Sequence, residues 1–177
     1  MSSVRSVFSL LLTTAFLLTG QGIHMTFLPL MASDIGLSQT VIGISGSAYF
    51  AGFISGALVT PHIIAKVGHI RSFTTLMAVF LCCFQILPMT NSGAVWIVIR
   101  FILGAVMCGA YTVVESWLSD QADSRTHGRV LAIYTVVVLG AMAMGQGLLS
   151  WTYGEAAQVF ALILSLIHIS EPTRLDG

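Results

Sequence analysis

The sequence predicts an all-α integral membrane protein, a bundle of five complete transmembrane helices and the beginning of a sixth, and three observations carry that expectation. Only 8% of the 177 residues are charged, against about 25% in an ordinary soluble domain. Hydrophobic residues make up 56% of the chain and the mean hydropathy is +0.92. Apolar stretches recur at lengths near the ~20 residues that cover a hydrocarbon core of about 30 Å, separated by short polar turns.

The first span covers about 7–31. Arg5 followed by an apolar run mimics a signal peptide, but the run continues to Leu30 and further spans follow, so it reads as a membrane helix. Its outer half is polar, with Thr19, Gln21, His24 and Thr26. Gln21 and His24, three residues apart, share a helix face, and a histidine placed there hydrogen-bonds a neighbouring helix or faces a cavity. The second span, 40–65, is rich in small residues: Gly43, Gly46, Ser47, Gly52 and Gly56. Small residues at such spacing let helices approach closely in lipid, where packing drives association. The third span, 72–89, ends at Pro88 and the turn-like 90–93; the fourth is 94–118. After the polar loop 119–128 comes the fifth, 129–151, and a sixth begins near 156.

Lysine and arginine placement predicts orientation. Arg5, Lys66, Arg71, Arg125 and Arg129 all fall on one side, whereas the loops around Asp34, Asn91 and Glu155 contain neither residue type. The N-terminus is therefore expected to face the cytoplasm. With zero net charge and no basic cluster, nothing suggests nucleic acid. Cys82, Cys83 and Cys108 lie inside apolar stretches and show neither metal-ligand spacing nor a disulfide framework. No nucleotide-binding loop, cofactor motif or enzyme is expected, and the partner that composition predicts is the lipid bilayer.

The fourth span holds the chemistry. It contains Arg100 and Glu115, and a charge at a helix centre costs about 2.5–3.5 kcal/mol on insertion scales. At 100° per residue Arg100, Gly104, Met107, Tyr111 and Glu115 fall in one stripe of about 80°. The two charges are fifteen residues apart, about 22 Å at 1.5 Å per residue, and cannot pair. Arg100 must be satisfied by carbonyls, by polar side chains such as Gln21 or Gln146, by water, or by a ligand. It is either a cation holding helices together or one that meets an anionic or zwitterionic solute. Glu115, near the inner end, is either a solvated carboxylate beside Arg125 or Arg129, or a titratable group suited to proton coupling. Tyr49 reads as packing before ligand contact, and Met107, Met142 and Met144 read as interface filler.

Three segments resemble the major facilitator superfamily of secondary transporters. Residues 35–56, IGLSQTVIGISGSAYFAGFISG, resemble its first outer loop and glycine-rich second helix. Arg100-Phe101-Ile102-Leu103-Gly104 resembles its fourth-helix motif, with Leu103 where glutamine is usual. Residues 113–134 resemble the YcaD-like branch. The resemblance implies twelve helices in two halves, solute bound between them and access alternating as the halves rock. It implies a substrate or coupling role for Arg100 and helix packing for Gly52, Gly56, Gly104 and Gly145. Lys66, Arg71, Arg125 and Arg129 are expected to set topology, and with Gly68 they are candidates for contacts at a cytoplasmic gate.

Two departures narrow it. Within 61–71 Lys66 and Gly68 match the inner-loop motif, but Ala65 replaces its aspartate and the second cation is displaced to Arg71. The fifth helix has Gln146 after Gly145 and lacks the proline of drug antiporters. Residues 164–174, LSLIHISEPTR, resemble a transposase adapter read through in frame, so authentic sequence is expected to stop near Ile163, leaving an N-terminal fragment. Two other classes are a non-transporting scaffold or receptor, and a rhomboid-type protease, whose Gly-x-Ser-Gly is matched by Gly43-Ile44-Ser45-Gly46 with His24 as the possible base.

Overall fold

A computed structural model describes the backbone of residues 2–121 and 127–152 and the side chains of 11–120 and 127–151, with Ser165 apart. The helices are α1 Ser2–Asp34, α2 Gln39–Val67, α3 His69–Ile86, α4 Gly93–Gln121 and α5 His127–Thr152, with a 3₁₀ turn Leu87–Met89 after α3. All 5 predicted spans are membrane-length apolar helices here, namely Leu11–Asp34, Gln39–Val67, His69–Met89, Gly93–Asp120 and His127–Trp151. The expected sixth span, the adapter-like tail and Arg125 lie outside the described residues, apart from Ser165. The chain forms two compact units, one of Pro29–Val114, the other of the chain up to Leu28 with that from Glu115 onward.

In the Pro29–Val114 unit, local chemistry sets the helix ends. Ser38 caps α2, its hydroxyl accepting from the Val41 amide at 3.3 Å. At the other end a single residue, Gly68, separates α2 from α3. Its φ of 83° and ψ of 170° fall where only glycine sits without strain. Its amide donates to the Ile64 carbonyl at 2.8 Å, and its carbonyl accepts the Ser72 amide at 3.2 Å and hydroxyl at 2.7 Å. Gly68→Ala is therefore expected to cost about 1–3 kcal/mol, read as a lower unfolding midpoint in detergent. An unchanged midpoint would show that the turn relaxes.

α3 buries one face, Phe73, Met77, Phe80 and Phe84, with Phe80 and Phe84 stacked at 6.1 Å. Trp96, 1% exposed, donates its indole N–H to the Thr90 carbonyl at 3.0 Å and so ties the first turns of α4 to the preceding connection. α2 and α4 approach backbone to backbone. A Cβ on Gly52 would overlap the Phe101 carbonyl, one on Gly56 that of Ala105, and one on Gly104 that of Tyr49. Gly43 and Gly46 face open space, so only part of the glycine-rich stretch serves packing. The opposite side of α2 exposes Phe50, Ile54 and Leu58, an apolar surface that matches lipid.

In the other unit α1 packs against α5 by the same device. Gly145 meets the Thr19 carbonyl and Gly22 the Met142 carbonyl. Leu17, Leu18, Ile23, Leu118, Tyr134, Ala141 and Leu149 are buried.

Candidate functional site

The site is built where α2 and α4 touch. Arg100 and Gly104 are four residues apart and so share a face of α4. Gly104 admits the Tyr49 carbonyl, which brings that turn of α2 close to the arginine. The Arg100 Cζ lies over the Tyr49 ring, 5.0 Å from its centroid. A cation over an aromatic face is attracted by the ring quadrupole, by about 2 kcal/mol or more when water is excluded. Tyr49 is 3% exposed and is itself flanked by Phe50, edge-on at 5.7 Å, and by Phe53 at 6.4 Å. Phe53 in turn meets Tyr111 at 6.1 Å.

Arg100 is 5% exposed, and its Nη1 is buried without a hydrogen-bond partner among the described residues. A guanidinium keeps its charge at any physiological pH, and its N–H donors lie in its own plane. The ring contact answers part of the charge, and Nη1 is left without a hydrogen-bond acceptor among the described residues. A buried donor without an acceptor costs about 1–3 kcal/mol or more for a charged group, which an incoming acceptor would recover.

The predicted stripe on α4 changes character along its length. Arg100, Gly104 and Met107 are buried, Tyr111 is half-buried and Glu115 is exposed. Gln21 and His24, in the other unit, are buried at 2% and 0% exposure, and both have partners. Gln146 is exposed on α5. Lys66, Arg71 and Arg129 are exposed, the first two on either side of Gly68. Ser45, the nucleophile of the protease alternative, donates its hydroxyl to the Ile42 carbonyl of its own helix at 2.8 Å.

Sequence reasoning missed the Tyr49–Arg100 contact. The signal was present: Tyr49, Gly52 and Gly56 stand at i, i+3 and i+7, so the tyrosine belongs to the glycine face that meets α4.

Five membrane-length helices among the described residues, glycine-mediated packing and a buried arginine in the fourth define a polytopic helical membrane protein. Residues 10–169 match the model of the Major Facilitator Superfamily, and the chain belongs to that family. It is 30% identical over 167 residues to the uncharacterized MFS-type transporter YcaD of Escherichia coli O9:H4 (strain HS). The same identity holds to YcaD of E. coli K12. Each alignment takes in 94% of this chain and 44% of the relative, so the chain spans a little under half the length of these curated relatives.

Proposed function

We propose that the chain forms slightly less than the N-terminal half of a secondary transporter that carries a small solute across a cytoplasmic membrane by alternating access. Its N-terminus faces the cytoplasm, and protons supply the driving gradient. Family membership supports the class, and the one-sided distribution of Arg5, Lys66, Arg71, Arg125 and Arg129 supports the orientation. The observation that carries the reading is Arg100, a buried cation in a membrane-spanning helix with an Nη1 donor set left open. In this scheme Arg100 meets the solute or the coupling carboxylate. Gln21 and His24 line the path, and Glu115 serves coupling at the inner end of α4.

The test is uptake into proteoliposomes by the intact protein, with an imposed pH gradient and a panel of small labelled solutes. Gradient-driven accumulation of one solute, collapsed by a protonophore, is the expected result. Binding without accumulation of any solute would instead favour a membrane scaffold or receptor.

A further inference from the structure

We propose that Arg100 and Tyr49 together form a site for a single carboxylate, docked at Nη1, with Tyr49 as the positioning residue that fixes the guanidinium. It extends the transporter reading, since the guest carboxylate belongs to the solute. A guanidinium offers its hydrogen bonds in its plane and its attraction for aromatic rings through its faces. The Tyr49 ring lies 5.0 Å from Cζ, and Nη1 has no hydrogen-bond partner among the described residues, so the Nη1 N–H groups are the donors open to a guest. A carboxylate oxygen suits such a donor, because a charge-assisted N–H···O⁻ bond is roughly twice as strong as a neutral one.

Charge matching narrows the guest further. Within the Pro29–Val114 unit the remaining basic side chains are His62, Lys66, His69 and Arg71, all around the α2–α3 turn. Lys66 is seventeen residues beyond Tyr49 along α2, about 25 Å of helix. One local cation balances one negative charge. A phosphate dianion would leave an excess charge buried, which is costly in an apolar surround.

The role of Tyr49 follows from the backbone. Gly104 exists on α4 where any Cβ would strike the Tyr49 carbonyl, and Gly52, three residues on, meets the Phe101 carbonyl. These two contacts hold the α2 turn that carries the ring. The ring then keeps a long, flexible arginine side chain in one place before any guest arrives, so less ordering is required on binding.

The experiment uses the 177-residue chain, labelled with ¹⁵N at arginine guanidinium groups, in phosphatidylcholine nanodiscs, which contain no lipid carboxylate. Resonances of Arg100 are assigned by their loss in Arg100→Gln. In the wild type they should lie upfield of those of exposed Arg71 and Arg129, shifted by the Tyr49 ring current. Acetate should move them saturably, whereas chloride at the same concentration should not. Tyr49→Phe keeps the ring and should keep both the upfield shift and acetate binding. Tyr49→Leu should lose the shift and bind acetate about tenfold more weakly.

Absence of the upfield shift in the wild type overturns the positioning role even if Tyr49→Leu fails to insert. Equal acetate affinity in wild type and Tyr49→Leu overturns it as well, as does a Tyr49→Phe variant that behaves like Tyr49→Leu. Inorganic phosphate binding more tightly than acetate, or no acetate response at all, overturns the carboxylate assignment. None of these readings needs transport, so a failed uptake assay and a failed binding assay remain distinguishable.

Discussion

Gly52→Leu is expected to prise α2 from α4 and to lower stability by about 3 kcal/mol, near the top of the usual range for overpacking. The reason is the identity of the obstacle. A Cβ at this position meets the carbonyl of Phe101, which is backbone and cannot rotate aside as a side chain could. Helix propensity acts in the opposite direction, since leucine exceeds glycine by roughly 0.8–1 kcal/mol, so the net loss measures the clash against that gain. Gly43→Leu is the control, because nothing lies within 4 Å of a Cβ there. It should be neutral or slightly stabilising. Unfolding in mixed micelles with increasing SDS, followed by tryptophan fluorescence, would compare them. Equal midpoints would mean that the α2–α4 contact is not a determinant of this fold.

Arg100→Gln is expected to lower solute uptake by the intact protein about 10- to 100-fold, the magnitude of one or two charge-assisted hydrogen bonds. The same change removes a charge that costs about 2.5–3.5 kcal/mol at the centre of a membrane helix, so insertion and stability should be unchanged or improved. The two measurements taken together separate the alternatives. A clamp that holds helices would lose stability when removed, and the loss of transport would follow from it. A receiving group would lose transport alone. Arg100→Lys sharpens the comparison, since it keeps the charge and discards the planar fork. Transport restored by lysine would place the requirement on charge, and its continued loss would place it on geometry.

The membrane spans were legible because their signal is coarse. Twenty apolar residues between polar turns can be read without knowing any neighbour, and the helices His69–Ile86 and Gly93–Gln121 differ from the predicted spans by a few residues at their ends. Those residues belong to local capping: Gly68 lets α3 start at once, and Ser38 lets α2 start at Gln39. Which glycines pack was less legible. Gly43, Gly46, Gly52 and Gly56 look alike in sequence, yet only the last two meet α4, because that depends on where the helices cross. The candidate site was read in part. Arg100 announced itself as a charge in an apolar run. Its aromatic partner did not, since Tyr49 lies on another helix and only the register of the α2–α4 contact brings the two together. Glu115 shared the stripe in projection but is exposed, whereas Arg100 and Gly104 are buried.

The Gly68 turn bears on how the molecule is made. Val67 ends one membrane helix and His69 begins the next, so the ribosome delivers them with one residue of slack between. A helix can be threaded, paused or inverted by the insertion machinery on its own only if its tether is long enough to let its neighbour stay behind. Here neither can wait for the other. α2 and α3 are therefore expected to enter the bilayer as a hairpin, with Lys66 and Arg71 at its shared end biasing the orientation of both helices at once.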